Sequence, residues 1–254
     1  TTGVTGAEFS PDGRYLVNYS RHPGWTTQPF EVLNLTNRRS VLQLSGTPVL
    51  AFAFNPRRPQ LAVATRAKRP GPGLVSIYDL AAKRLETSLE PNHAPNAMRY
   101  DPSGGRLAMS SDDDGGVEIW DVAGTSFIDL LAYRSSTFRG LDWDATGKYL
   151  AGAMANGQIC LWDVPRRAVV SSLPGHAQPI TALGCDPSGQ VIFSSAQDDL
   201  MRFWDFLTGR EVLRLGIGQE HEPEREARGG AEGGGEVGGM TRENPDPGEG
   251  EEQP

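Results

Sequence analysis

The chain has 254 residues, with 24 lysines and arginines against 32 aspartates and glutamates, two cysteines and 37% hydrophobic residues. That length allows one large domain or two small ones. The formal charge of −8 belongs to residues 216–254, which hold three basic and eleven acidic side chains, so the first 215 residues are neutral. A neutral body argues against direct binding of nucleic acid. Two cysteines are too few for a disulfide framework, and no apolar run is long enough for a membrane helix.

The C-terminal segment, residues 216–254, contains eleven glycines and three large apolar side chains. Such a segment cannot bury enough surface to offset the entropy of ordering it, so the sequence predicts a disordered acidic Gly/Glu-rich tail. The tail is either a solubilising tether or a docking segment for a basic partner. At the other end the chain begins with Thr1 inside folded-looking sequence, so we expect a removed leader or a piece of a longer protein.

The first 215 residues repeat one unit five times. Each unit opens with an apolar segment, a turn and a second apolar segment, and the turns recur every 42–46 residues. The turn positions are Pro11, Pro56, Pro102, Ala145 and Pro187. Each unit then ends in a second signature, also 42–45 residues from the next. These signatures are FEVLNL, VSIYDL, VEIWDV, ICLWDV and MRFWDF. Two landmarks with one period indicate a repeat architecture.

Each unit is predicted to form four antiparallel strands. Turns such as SPDG and DPSG supply a fixed φ at proline and a flexible glycine, as tight hairpins require. The second strands are densely apolar, as buried strands are, and the fourth strands are interrupted by polar residues, as outer edge strands are. Cys185 repeats the position of Phe9, Phe54, Tyr100 and Trp143, which predicts a core position.

The Trp-Asp pairs at Trp120, Trp162 and Trp204 follow these turns at the same spacing, and in this the chain resembles the WD-repeat β-propeller family. The resemblance implies an all-β propeller of four-stranded blades over residues 1–215. The expected blades are 4–45, 49–90, 95–132, 138–174 and 180–215. Family members usually have seven blades, so either these five belong to a larger ring or they close by simple face packing.

The resemblance also implies a buried hydrogen-bonded network of His, Ser, Asp and Trp. In blade five the matching residues are His176, Ser194, Asp198 and Trp204. In blade three they are His93, Ser110, Asp114 and Trp120. Blade four keeps Trp162 but carries Gly152 at the serine position, and blades one and two lack the tryptophan.

A Ser-His-Asp set also raises the possibility of a hydrolase. A catalytic triad needs an exposed nucleophile, whereas the repeat buries these positions, so a structural network is favoured. A glycosidase would place paired carboxylates at the axis, where Glu8 and Asp142 lie beside Arg99 and Arg139; we expect channel-lining ion pairs instead. No CxxC or HxxxH spacing indicates a metal site, and both cysteines are expected to be reduced and unpaired, as in the cytosol.

The connections between strands two and three are expected to form a rim that binds partners. The rim residues are Arg66, Lys68, Arg69, Asp112, Asp113, Asn156 and Gln197. The opposite charges on blades two and three either pair with each other or grip a charged peptide. We therefore expect a non-catalytic, intracellular (cytoplasmic or nuclear) scaffold that binds a protein or peptide in a multiprotein complex, without cofactor, metal, nucleic acid or membrane. The alternative is an accessory propeller of a larger enzyme or, less favoured, a glycosidase-like hydrolase.

Overall fold

Twenty strands form five separate sheets of four antiparallel strands, in sequential order within each sheet. The computed structural model describes residues 6–19, 30–46, 48–65, 73–111, 116–133, 137–206 and 208–216. The chain divides into two units, Thr1–Gln219 and Glu220–Pro254, and the predicted tail from residue 217 onward lies outside the described residues. The expected all-β fold is confirmed, and the described residues contain no helix that could cross a membrane.

The blades have the following strands. Blade one contains β1 (Gly6–Phe9), β2 (Tyr15–Tyr19), β3 (Phe30–Asn34) and β4 (Arg39–Leu44). Blade two contains β5 (Val49–Phe54), β6 (Gln60–Thr65), β7 (Leu74–Asp79) and β8 (Arg84–Leu89). Blade three contains β9 (Pro95–Tyr100), β10 (Arg106–Ser111), β11 (Gly116–Asp121) and β12 (Ser126–Ala132). Blade four contains β13 (Phe138–Trp143), β14 (Tyr149–Met154), β15 (Ile159–Asp163) and β16 (Ala168–Leu173). Blade five contains β17 (Ile180–Cys185), β18 (Val191–Ala196), β19 (Leu200–Asp205) and β20 (Glu211–Gly216).

The repeat extends to irregular features. In every blade the pairing of strands three and four shifts register immediately before the tryptophan position, for example between Ile119 and Trp120 and between Phe203 and Trp204. Such a bulge twists the outer strand and redirects its side chains. The turn that follows strand three places one residue at positive φ in each blade. These residues are Arg38, Lys83, Thr125, Arg167 and Gly209.

Consecutive blades share apolar cores. One face of each sheet packs on the next blade, because strand side chains alternate between the two faces. Between blades three and four, for example, Val117 and Ile119 pack with Leu150 and Trp162. Blades one and two meet in an aromatic cluster in which Phe52 contacts both Tyr19 and Phe30 at ring distances of 5.1 and 5.4 Å.

The outward faces of the first and last blades are less covered. Phe9 is 63% exposed, although Phe54, Tyr100 and Trp143 at the same repeat position are buried. The prediction of a core position is therefore wrong for Phe9, because no blade precedes blade one in the described residues. In blade five, Leu213 and Leu215 are about half exposed. The described residues thus do not show the face packing of blade five on blade one that a closed five-blade ring requires.

Candidate interaction sites

Blade five contains the complete predicted network. His176 lies just before β17, Ser194 in β18, Asp198 in the following turn and Trp204 in β19. His176 Nε2 lies 2.8 Å from Ser194 Oγ, and its Nδ1 lies 2.9 Å from Asp198 Oδ1. The Trp204 indole donates to the same Ser194 Oγ at 3.0 Å. The network therefore ties the start of the blade to its second and third strands.

This network has triad-like geometry but no access for a substrate. Ser194 is fully buried and His176 is 4% exposed. Ser194 Oγ already contacts both the imidazole and the indole, whereas a nucleophile must reach a substrate carbonyl. Burial alone would raise the pKa of Asp198, but the hydrogen bond and charge of His176 outweigh it and lower that pKa below its ordinary value. The arrangement stabilises an ionised aspartate inside a structural tie.

Two glycines position His176. Gly157, in the β14–β15 turn, and Gly175 both adopt positive φ, 85° and 60°. The amide of His176 donates to the Gly157 carbonyl at 2.8 Å. A Cβ on Gly175 would overlap that same carbonyl, so the approach of the two segments requires glycine. The Gly-His pair is therefore a contact between blades four and five as well as part of the network.

Blade four shows what happens when the serine is missing. Trp162 is 1% exposed, and its indole nitrogen has no hydrogen-bond partner among the described residues. A side chain at Gly152 would collide with the rings of Phe138 and Trp162, so the position cannot regain a serine without repacking. The tryptophan contributes apolar packing there at the expense of one unsatisfied donor.

Blade three differs from its predicted network. The Trp120 indole donates to Glu118 Oε2 at 2.7 Å instead of to Ser110. Ser110 Oγ donates to Asn96 Oδ1 at 3.0 Å, and Asp114 lies outside the described residues. Glu118 wins because residues two apart on a strand share a face, which places its carboxylate beside the indole. The predicted bond between Ser110 and Trp120 is wrong, and the sequence signal for Glu118 was its position two residues before the tryptophan.

The inner strands carry the expected ion pair. Arg99 Nε lies 2.8 Å from Asp142 Oδ1, and the other oxygen of Asp142 accepts the Cys185 amide at 2.8 Å. Asp142 therefore links blade three to blade five through blade four. Its role as an ion-pair partner is confirmed.

The cysteines are free, as predicted: Cys160 is buried and Cys185 is partly buried. Burial raises the pKa of the Cys160 thiol to about 12. Across the described ranges no three His, Cys, Asp or Glu side chains are grouped as metal ligands would be.

The structure describes two of the predicted rim residues. Asn156 lies in the β14–β15 turn, where its amide oxygen accepts the backbone N–H of Gln158 at 3.1 Å. Gln197 follows β18, and its backbone N–H donates to the Pro179 carbonyl at 3.2 Å. Both side chains are exposed. The other rim residues lie outside the described residues: Arg66, Lys68, Arg69, Asp112 and Asp113.

Two family models match the chain. The model described as "WD domain, G-beta repeat" matches residues 167–205, which include Trp204. The model described as "Eukaryotic translation initiation factor eIF2A" matches residues 26–159, just over half of the chain. The chain belongs to the WD-repeat family, in a propeller segment that the eIF2A model also describes.

Curated WD-repeat relatives are 27% identical to this chain in three cases. Chromatin assembly factor 1 subunit FAS2 homolog of Oryza sativa subsp. japonica aligns with 62% of the chain and 33% of its own length. WD repeat-containing protein VIP3 of Arabidopsis thaliana aligns with 47% and 42%, respectively. Guanine nucleotide-binding protein subunit beta-2 of Caenorhabditis elegans aligns with 43% and 30%. The chain thus spans a third to two fifths of the length of these relatives.

Proposed function

We propose that this WD-repeat chain is a non-catalytic scaffold that binds a partner protein or peptide on the rim formed by its strand-two to strand-three connections. The observation that carries the proposal is the burial of Ser194, whose hydroxyl is held by His176 and Trp204. The Ser-His-Asp set of blade five is then a structural tie, and recognition is left to the exposed turns.

The similar proteins support this proposal through their names. Two of them are described as subunits, one of chromatin assembly factor 1 and one of a guanine nucleotide-binding protein. A subunit contributes surfaces to a larger assembly, which is the role we infer for this chain. We also propose an intracellular location, since a further relative is described as "Transcription factor unc-37". An accessory propeller of a larger enzyme would use the same surfaces.

The rim carries both charge signs in the sequence. Arg66, Lys68 and Arg69 belong to blade two, and Asp112 and Asp113 belong to blade three. Exposed amides at Asn156 and Gln197 continue the rim on blades four and five. Side chains of these types bind a charged peptide through hydrogen bonds and complementary charge. We infer a peptide ligand that carries both a cationic and an anionic side chain.

The rim proposal is tested with peptides selected from a random display library against the intact chain. Replacing Arg66, Lys68 and Arg69 together by alanine is expected to weaken the selected peptides by about tenfold, which matches the loss of a few exposed charge contacts. The matched control is the double substitution Arg14→Ala and Arg210→Ala, since both arginines lie on turns at the opposite ends of the strands. Unchanged affinity in the rim variant would dismiss the rim as the binding surface.

A further inference from the structure

Four cations lie on the turns between strands three and four of blades one and two. Arg38 and Arg39 belong to the β3–β4 turn, and Lys83 and Arg84 to the β7–β8 turn. We call these four residues the cationic turn pair. All four are exposed. No carboxylate among the described residues lies within ion-pair distance of any of them.

The backbone of these turns does not require basic side chains. Arg38 and Lys83 both adopt φ of 56°, a left-handed conformation that favours glycine, asparagine or aspartate. Blade five has Gly209 at the same repeat position. Side chains at an intrinsically disfavoured conformation point to a role outside the fold itself.

The turns are held by other residues. The side chain of Asn34 accepts the backbone N–H groups of Thr36 and Asn37 at 2.9 and 3.2 Å. In blade two Asp79 accepts the N–H groups of Ala81 and Ala82, each at 2.9 Å. These bonds shape both turns without any contribution from the arginine and lysine heads. The four cations are therefore presented on preformed turns and are available to a ligand.

The corresponding turn of blade four is different. Arg166 lies 3.6 Å from Asp163, and Arg167 lies 2.7 Å from Asp129. Its two positive charges are therefore neutralised within the protein. Among the strand-three to strand-four turns that carry two adjacent cations, unpaired charge is confined to blades one and two.

An exposed leucine accompanies the cations. Leu85 follows Arg84 directly and is 51% exposed. It lies opposite Tyr78 on β7, and Tyr78 packs in the core shared by blades one and two. Cross-strand partners share a face of a sheet, so Leu85 lies on the side of blade two that faces blade one. The surface therefore combines four unpaired cations with one apolar contact.

We propose that the cationic turn pair and Leu85 form a second docking surface, for an acidic segment of a partner protein that also carries apolar side chains. Carboxylates would pair with the arginine and lysine heads, and an apolar side chain would cover Leu85. A nucleic-acid backbone offers phosphates but no apolar group for the leucine, and the first 215 residues have no net positive charge to attract it. The surface lies at the opposite end of the strands from the rim, so it is separate from the proposed rim site.

The test measures fluorescence anisotropy of three labelled probes with the intact chain at low salt. The probes are a short peptide of glutamates interrupted by leucines, an all-glutamate peptide of equal length and a short single-stranded DNA. We expect the leucine-containing peptide to bind best. Reversing all four charges (Arg38→Glu, Arg39→Glu, Lys83→Glu and Arg84→Glu) should weaken it by at least about tenfold. Leu85→Ser should remove its advantage over the all-glutamate peptide.

Two further variants separate binding from folding. Lys83→Gly should keep the thermal midpoint, because blade five has glycine at this position, yet lower the affinity for the acidic peptides. Arg166→Ala removes a paired cation from the equivalent turn of blade four and should leave the affinity unchanged. The proposal is overturned if the charge-reversed variant binds like the wild type, if Leu85→Ser leaves the leucine preference intact, or if DNA binds more tightly than the acidic peptides.

Discussion

Replacing Gly175 by alanine is expected to lower the free energy of unfolding by at least about 3 kcal/mol. The positive φ of 60° is unfavourable for alanine, and the new Cβ would overlap the carbonyl of Gly157. That carbonyl accepts the His176 amide, so the backbone cannot move aside without losing the bond that starts the blade-five network. For a domain of this size the thermal midpoint should fall by about 6–12 °C.

The matched control is Gly46→Ala. Gly46 also has positive φ, 72°, but nothing lies within 4 Å of a Cβ built there. Its substitution carries only the conformational cost of about 1 kcal/mol. Thermal unfolding followed by circular dichroism compares the two variants directly. Equal midpoints for both would show that the close approach of Gly175 and Gly157 is absent in solution.

Ser194→Ala is expected to cost about 3 kcal/mol of stability. The change removes the acceptor of the Trp204 indole and the partner of His176 Nε2, which leaves two buried polar groups unsatisfied at roughly 1–3 kcal/mol each. The methyl group fits the space of the hydroxymethyl, so little packing is lost. Urea denaturation of the wild type and the variant measures the difference.

A pair of tryptophan substitutions isolates the hydrogen bond in the same region. Trp204 and Trp162 are both 1% exposed, but only Trp204 has a hydrogen-bond partner among the described residues. Trp204→Phe should therefore destabilise more than Trp162→Phe, by about 1–2 kcal/mol. If Trp162→Phe were the more costly of the two, the hydrogen bond of Trp204 would not be the stabilising element that the structure indicates.

The strand pattern could be predicted from the sequence because it is encoded locally five times. Turn residues such as Pro102 and Gly104 and the apolar alternation around Trp120 specify each hairpin without information from distant parts of the chain. The blade-five network was also predictable, since all four of its residue types are present. In the structure its atoms meet at 2.8–3.0 Å.

The departures arise where the environment differs between blades. Alignment of the repeats assumes that every blade has a predecessor, and Phe9 is exposed because blade one has none in the described residues. Alignment also assigned Ser110 to Trp120, although Glu118 offers a charged acceptor on the same strand. Charged acceptors form the stronger hydrogen bonds, so one substitution beside the tryptophan redirects the indole. Such competition depends on three-dimensional proximity, which spacing alone does not provide.

The most direct test of the scaffold role is whether Ser194 reacts as a nucleophile. The native chain is incubated with a fluorophosphonate probe, which modifies activated serines, and its intact mass is then measured. Because Ser194 is fully buried and bonded to Trp204, we predict no covalent adduct on the folded protein. An adduct on the wild type that disappears in Ser194→Ala would show an accessible, activated nucleophile and would contradict the structural role of the network.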